Sequence, residues 1–129
     1  MKRVFIDGEA GTTGLLIRDR IVGRRDIELL QIDPAKRKDA DERKRLLNAA
    51  DIVFLCLPDE AAIEAVSLID NPDTVVIDGS TAFRVTDGWT YGFPEYDHKQ
   101  RARMLASSCS CAAVLASRFD RSCSVSRRR

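Results

Sequence analysis

Histidine, cysteine and long apolar runs are scarce in this chain. Of its 129 residues one is a histidine, His98, and four are cysteines, three of them beyond residue 107. No apolar run approaches the about 20 residues of a membrane span, and the N-terminal MKRVFID enters a strand-like pattern without the features of a signal peptide. These shortages argue against a membrane protein, a disulfide-stabilised secreted domain and a metal site, and they favour a cytoplasmic location.

The overall composition is that of an ordinary globular protein. Apolar residues make up 44% and charged residues 32%, and 129 residues leave room for one domain with its own core. From Ser107 onward five arginines face one aspartate, a balance of +4, which leaves −3 for residues 1–106. A short basic end supports only weak, salt-sensitive contact with nucleic acid, so we expect no nucleic-acid partner.

Strand-like and helix-like segments alternate along the first hundred residues. Apolar runs predict strands over residues 3–7, 27–32, 51–57 and 74–78. Helical spacing predicts helices over residues 15–22, 39–50, 58–69 and 96–107. The apolar face of the first helix is predicted to contain Leu15, Ile17, Ile21 and Val22. This order predicts an α/β protein with a Rossmann-like, doubly wound, mostly parallel sheet in a single domain.

A glycine-rich loop, GEAGTTG, lies between the first predicted strand and the first predicted helix. Glycines let a backbone turn tightly and approach a pyrophosphate, which the positive end of a helix then stabilises. The spacing is GxxGxxG, a variant of the usual dinucleotide fingerprint. Thr12 and Thr13 are expected either to cap the helix or to donate hydroxyls to phosphate. The loop predicts cofactor binding, and a glycine-rich turn without a ligand is the alternative. The cofactor contacts predicted in this loop are Gly8, Gly11, Thr12, Thr13 and Gly14.

The end of the second predicted strand carries conflicting signals for the choice of cofactor. Asp33 stands where an acidic residue bonds the free ribose hydroxyl of NAD. Lys36, Arg37 and Lys38 follow, where basic groups accept the 2′-phosphate of NADP. The cofactor contacts expected in this segment are Asp33, Lys36 and Arg37. A carboxylate near that phosphate would repel it unless it turned away. The basic residues favour NADP over NAD, and a solvated turn is the competing interpretation of the triplet.

Three stretches narrow the class of protein. They are FIDGEAGTTGL, VFLCLPDEAA and IDGSTAFRVTDGWTYGFPE. Together they closely resemble N-acetyl-gamma-glutamyl-phosphate reductase in its shorter second type, over about Arg3 to Ser107. The resemblance implies an NADP-binding domain of the semialdehyde dehydrogenase type. It also implies a small-molecule acyl phosphate as substrate, which is reduced to an aldehyde through a cysteine thioester and hydride from NADPH. Members of the resembled family act as oligomers.

The resemblance also assigns residues on two further loops. It places Cys56, Leu57 and Pro58 near the nicotinamide half of the cofactor. It places Ser80, Thr81 and Arg84 near the substrate phosphate, where a guanidinium binds phosphate bidentately. For Arg84, a surface ion pair with Asp87 is the alternative. For Trp89, Tyr91 and Phe93 core packing is favoured, although the neighbouring turn Gly92–Glu95 matches one that borders the active site of the family.

Beyond residue 107 the resemblance stops. The Asn-Pro-Gly-Cys-Tyr segment that carries the nucleophile of the family is missing, and His98 does not match its catalytic histidine, so no catalytic residue is assigned. Residues 1–107 are therefore predicted to form the dinucleotide-binding domain. Residues 108–129 are interpreted as a non-homologous tail, frameshifted and disordered. A chain of this kind is expected to bind NADP(H) at most. A non-catalytic cofactor-binding module and a fragment without function are the alternatives.

Overall fold

The computed structural model describes residues 1–87, 89–90, 99 and 102. Strands and helices alternate through this part of the chain, with one short 3-10 turn at Pro34–Lys36. The strands are β1 (Lys2–Asp7), β2 (Ile27–Leu30), β3 (Ile52–Leu55) and β4 (Val75–Asp78). The helices are α1 (Thr12–Ile21), α2 (Ala40–Ala49) and α3 (Asp59–Leu68).

The four strands form one sheet in the order β2-β1-β3-β4, and every pairing in it is parallel. The chain runs from β1 outward to β2, and then crosses back to β3 on the other side of β1. This reversal makes the gap between the carboxyl ends of β1 and β3 the topological switch point, where ligands bind in open α/β sheets. Right-handed crossovers place α1 on one face of the sheet and α2 and α3 on the other. The predicted α/β, Rossmann-like, parallel fold is confirmed.

The buried core lies between the sheet and the two helices that contact each other, α2 and α3. Phe5, Val53 and Val76 contribute from neighbouring strands, and Leu46 and Leu47 from α2. The leucine pair is the apolar part of an otherwise polar helix, which therefore packs through a narrow stripe. Its N-terminus is fixed by a carboxylate cap, Asp39, which accepts the backbone N–H groups of the first turn.

The first predicted helix differs most from the structure. α1 begins at Thr12, three residues before the predicted start, and it ends before Gly23, whose φ of +89° suits a residue without a Cβ. The predicted buried face is wrong in part, because Leu15 is 45% exposed and Val22 is 61% exposed. Ile17 and Ile21 are half-buried. The four apolar residues were too loosely spaced to share one narrow stripe.

A dense apolar run such as that of β3 is typical of a strand buried on both faces. Val53 and Leu55 are buried in the core shared with α2 and α3, but Ile52 and Phe54 on the opposite face are half-buried. The described part of the chain therefore covers one face of β3 more completely than the other. Of the helix predicted over residues 96–107, the structure describes only Lys99 and Ala102.

Candidate cofactor site

A cavity of about 400 Å³ opens at the carboxyl edge of the sheet, beside the switch point. The loop after β1 forms one wall through Gly8, Glu9 and Ala10. The end of β2 and the beginning of α3 supply apolar walls through Ile32 and Ala61. A concave site with apolar walls and a few convergent polar groups is the usual form of a small-molecule site.

The glycines of the loop are required by packing at two of their three positions. Gly8 has a φ of +89°, and a Cβ on it would stand 2.3 Å from the carbonyl oxygen of Cys56. A Cβ on Gly14 would stand 2.4 Å from the carbonyl oxygen of Gly8. At Gly11 the nearest atom would be 3.4 Å away, an ordinary contact. Gly8 and Gly14 thus bring the loop against the end of β3 and the start of α1. At Gly11 there is room for a Cβ, and its backbone is engaged, because its N–H donates to the Gly8 carbonyl oxygen at 3.0 Å and its carbonyl oxygen accepts from the Leu15 N–H at 2.9 Å.

Among the residues that the structure describes, no side chain caps the free N–H groups at the start of α1. Gly11 is the N-cap residue and supplies no side chain, and the first turn contains no acidic residue. The interpretation of Thr12 and Thr13 as capping residues is therefore wrong, since neither occupies the cap position. Both threonines lie on the exposed first turn of the helix. The partial positive charge of this helix end faces solvent beside the cavity, where it attracts an anion.

The basic turn after β2 separates the two conflicting cofactor signals. One oxygen of Asp33 accepts the backbone N–H of Ala35 at 2.9 Å, which caps the 3-10 turn, and Asp33 does not line the cavity. Arg37 and Lys38 do line the cavity, whereas Lys36 does not. The carboxylate is thus engaged by its own turn, and two cations face the site. Of the expected contacts Lys36 and Arg37, only Arg37 lines the cavity, and Lys38, which was not among the expected contacts, lines it in place of Lys36.

Sequence reasoning missed a further charged pair at the cavity, Asp7 and Arg43. The Arg43 guanidinium donates to Asp7 Oδ2 from Nη2 at 2.9 Å and from Nε at 3.3 Å. Glu64 of α3 also lines the cavity and lies 3.6 Å from Arg43 Nη1. No local sequence pattern predicts this pair, because Asp7 ends β1 and Arg43 lies in α2, and these elements come together only in the folded chain.

The loop after β3 approaches the site with one apolar contact. Leu57 lines the cavity, Pro58 is the N-cap residue of α3, and the Cys56 N–H donates to the Asp7 carbonyl oxygen at 2.8 Å. Burial raises the pKa of the Cys56 thiol to about 11, and the carboxylates of Asp78 and Asp7 add to the rise. The thiol is therefore neutral near pH 7, so this loop provides packing and not a nucleophile.

Ser80 and Thr81, assigned by resemblance to the substrate phosphate, donate to carboxylates in this structure. Ser80 Oγ donates to Asp78 Oδ2 at 2.6 Å, and the Thr81 N–H donates to Asp59 Oδ1 at 2.9 Å. The Thr81 hydroxyl donates to the other oxygen of Asp59. These bonds from Thr81 lower the pKa of Asp59, whereas burial raises the pKa of Asp78 despite its bonds from Ser80.

Arg84 is exposed in the turn that follows these residues. The suggested ion pair with Asp87 is not formed within the described part of the chain. The charge of Arg84 instead contributes to the lowered pKa of Asp59 and partly opposes the rise in the pKa of Asp78. Trp89 is partly buried and stacks on Phe83 with ring centroids 4.1 Å apart, as expected for core packing. Several residues considered in the sequence analysis lie outside the described residues: Tyr91, Gly92–Glu95, His98, Cys109, Cys111 and Cys123.

The described residues contain neither a metal-binding cluster nor a membrane-spanning helix. Across residues 1–87 and the few described positions beyond them, no group of three or more His, Cys, Asp or Glu side chains is placed to hold a metal ion. The same residues contain no helix long and apolar enough to cross a membrane.

A parallel sheet with a glycine loop before its first helix and cations beyond its second strand defines a dinucleotide-binding domain of the Rossmann type. Residues 10–104 match the family model described as the semialdehyde dehydrogenase, NAD binding domain. The chain belongs to this family, and the expectation of a nicotinamide dinucleotide cofactor is confirmed.

Several curated relatives of this chain are named N-acetyl-gamma-glutamyl-phosphate reductase. The protein of that name from Chelativorans sp. (strain BNC1) is 63% identical over 98 residues, which cover 76% of this chain and 32% of the relative. N-acetyl-gamma-glutamyl-phosphate reductase 2 from Nostoc sp. (strain PCC 7120 / SAG 25.82 / UTEX 2576) is 56% identical over 102 residues, covering 79% and 32%. The chain thus spans about a third of the length of the curated relatives it matches. These matches confirm the family resemblance drawn from the sequence.

One solved structure supports the fold. Aspartate semialdehyde dehydrogenase II from Vibrio cholerae matches with a TM-score of 0.50 at 15% identity, covering 86% of this chain and 41% of that one. At this identity the match carries the fold and no assignment of ligands.

Proposed function

We propose that this chain binds NADP(H) in the cavity and is the cofactor domain of an N-acetyl-gamma-glutamyl-phosphate reductase. The observation that carries the choice of cofactor is the arrangement of the turn after β2. Arg37 and Lys38 line the cavity, while the carboxylate of Asp33 is held by the N–H of Ala35. Two cations without a facing carboxylate from their own turn suit a 2′-phosphate better than a free ribose hydroxyl.

The surrounding residues divide the rest of the cofactor between them. The uncapped first turn of α1, with Thr12 and Thr13 after the side-chain-free Gly11, suits the pyrophosphate. The apolar walls from Ile32 and Leu57 suit the adenine ring. Cys56 and Pro58, which flank Leu57 after β3, are proposed to lie near the nicotinamide half of the cofactor.

The reaction proposed for the whole protein is the reduction of N-acetyl-glutamyl phosphate to its semialdehyde, for which NADPH supplies the hydride. Residues 1–107 are proposed as the domain that holds the cofactor. Within it, exposed Arg84 is the group suited to the substrate phosphate. Ser80 and Thr81 fix the backbone before Arg84 through their bonds to Asp78 and Asp59. Cys56, with its raised pKa, is not assigned as the nucleophile.

The test is a comparison of dissociation constants for NADPH and NADH. We expect the wild-type chain to bind NADPH at least about tenfold more tightly, because a charge-assisted hydrogen bond to phosphate is worth more than about 1.4 kcal/mol. In the double variant Arg37→Ala/Lys38→Ala the affinity for NADPH should fall to that for NADH. Adenosine 2′,5′-bisphosphate should follow NADPH, because it carries the same 2′-phosphate.

Lys36→Ala is the matched control, since Lys36 belongs to the same basic triplet but does not line the cavity. Its affinity for NADPH should stay within about twofold of wild type. Equal wild-type affinities for NADPH and NADH would contradict the assignment of the 2′-phosphate. Complete absence of binding by a folded wild-type chain would contradict the proposed function itself.

A further inference from the structure

An ion pair of nearly buried side chains lies at the base of the cavity. Arg43 of α2 donates through two nitrogens to Asp7 Oδ2, at 2.9 and 3.3 Å, and only 12% of each side chain is exposed. The third nitrogen of the guanidinium, Nη1, lies 3.6 Å from Glu64 Oε1 on α3. One side chain therefore joins the carboxyl end of β1 to both helices on that face of the sheet.

The position of Asp7 gives this pair a consequence for ligands. Asp7 is the last residue of β1, it directly precedes Gly8, and both residues line the cavity. An unpaired carboxylate there would repel any anion bound along the glycine loop, and its low exposure would leave the repulsion poorly screened. The charge of Arg43 cancels that of Asp7 at this point.

Arg43 is not itself placed as a phosphate ligand. Its guanidinium is engaged by Asp7 and Glu64, whereas Arg37 and Lys38 line the same cavity and form no ion pair within the described part of the chain. The cations that face the cavity thus have different tasks. Arg37 and Lys38 are left to meet a ligand, and Arg43 meets a carboxylate of the protein.

We propose that Arg43 is a positioning residue of the cofactor cavity, which neutralises Asp7 and thereby allows the glycine loop to accept the pyrophosphate of a dinucleotide. This inference rests on the proposed function, because it takes the cavity to be the cofactor site. It adds a requirement that the glycine motif does not contain. The carboxylate at the end of β1, which precedes the glycine loop, must be neutralised by a cation from a neighbouring helix.

Four forms of the full chain test the proposal with NADPH as the probe: wild type, Arg43→Met, Asp7→Asn and Asp7→Asn/Arg43→Met. Arg43→Met leaves Asp7 charged and unpaired, so the dissociation constant for NADPH should rise about tenfold. Asp7→Asn removes the repelling charge, so binding should be at least as tight as in wild type. The double variant removes both charges and should return to within about threefold of wild type.

Arg45→Met is the matched control, because it makes the same substitution on the same helix. Arg45 forms an exposed ion pair with Glu42, with Nη2–Oε1 at 2.7 Å, and does not line the cavity. Its dissociation constant for NADPH should be unchanged. Thermal unfolding of every variant without cofactor shows whether each chain is folded under the binding conditions.

A purely structural role for Arg43 would give a different pattern. In that case Asp7→Asn would weaken NADPH binding as Arg43→Met does, and the double variant would not recover, which would overturn the proposal. If Arg43→Met does not fold, Asp7→Asn and the double variant still decide between the two roles. Wild type that binds NADPH with full dependence on Arg37 and Lys38, but without response to Arg43→Met, would overturn this inference and leave the proposed function standing. Wild type that binds no NADPH would overturn both.

Discussion

Two glycines with the same φ differ in the atoms that surround them. Gly8 and Gly23 both have a φ of +89°, but a Cβ on Gly8 would stand 2.3 Å from the Cys56 carbonyl oxygen, and a Cβ on Gly23 would meet nothing within 4 Å. Alanine at either position destabilises the fold because it must adopt an unfavourable φ. Alanine at position 8 must in addition push the ends of β1 and β3 apart. The pair therefore separates backbone strain from close approach.

We expect Gly8→Ala to lower the free energy of unfolding by more than about 3 kcal/mol, and Gly23→Ala to lower it by only about 1 kcal/mol. Denaturant-induced unfolding of both variants measures the difference. Equal losses would show that the loop after β1 has room to move away from β3, contrary to the packing described above.

Cys56 gives a prediction about pH. Burial, with Asp78 and Asp7, raises its pKa to about 11, so the folded protein holds this thiol in its neutral form. In a chain with Cys109, Cys111 and Cys123 replaced by serine, the rate of alkylation by iodoacetamide should keep rising with pH beyond about pH 9, where an ordinary thiol levels off.

The same shift has a defined sign for stability. Because the pKa of Cys56 is higher in the folded chain than in the unfolded one, its contribution to stability is complete below about pH 8.5 and is lost as the pH rises toward about 11. Alkylation that reaches its plateau at or below about pH 8.5 would contradict the raised pKa.

The cofactor contacts expected from the sequence stay predictions, and they differ in how much of their position is local. The loop Gly8–Gly14 and the basic triplet were placed from motif and position, because both depend on local backbone geometry. Which cations face the cavity depends on how the 3-10 turn is capped by Asp33, and Arg43 depends on contacts between α2 and β1. Such contacts leave no periodic trace in a single sequence.

At the scale of elements, the strands and the two helices of the core were predictable because their apolar residues lie on one stripe or in one run. Helix α1 was placed late because its first turn is glycine and threonine rather than apolar residues. Its start is set by the backbone of the loop, where the N–H of Leu15 donates to the carbonyl oxygen of Gly11 at 2.9 Å. Local backbone geometry thus sets the start of this helix, and the hydrophobic pattern does not.

The side chain of Asn48, in the last turn of α2, is hydrogen-bonded to the backbone at the end of α3. Its Oδ1 accepts the N–H groups of Asp70 and Asn71 at 2.7 and 2.8 Å, and its Nδ2 donates to the Leu68 carbonyl oxygen at 2.9 Å. Two backbone donors and one acceptor would lose this partner in Asn48→Ala. Partly buried groups left unpaired cost more than the bonds contribute, so we expect a loss of about 2–3 kcal/mol in the free energy of unfolding.

Asn48→Asp is the matched control for that prediction. Aspartate keeps an acceptor for the N–H groups of Asp70 and Asn71 and loses only the donor, so its loss should be smaller than that of the alanine variant. Denaturant unfolding of both variants is the measurement. A loss below about 0.5 kcal/mol for Asn48→Ala would mean that the link between the two helices contributes little to stability.

At the scale of the whole molecule, the order of elements and one loop were enough to predict the fold, and the match of residues 10–104 to the semialdehyde dehydrogenase, NAD binding domain confirms it. The chain spans about a third of the length of its curated relatives. Its contribution to their chemistry is proposed here to be the binding of the cofactor. The cavity, the end of α1 and the cations of the turn after β2 lie together at one edge of the sheet, as that role requires.

The most direct test of this account is a titration of the ¹⁵N-labelled chain with NADPH, followed by two-dimensional NMR. The account predicts that amide resonances of the Gly8–Gly14 loop, of Arg37 and Lys38 and of Leu57 shift together to saturation. Gly23, which is far from the cavity lining, should stay unchanged. Shifts that leave the Gly8–Gly14 loop and the basic turn unaffected, or no shifts at all in a folded chain, would contradict the account.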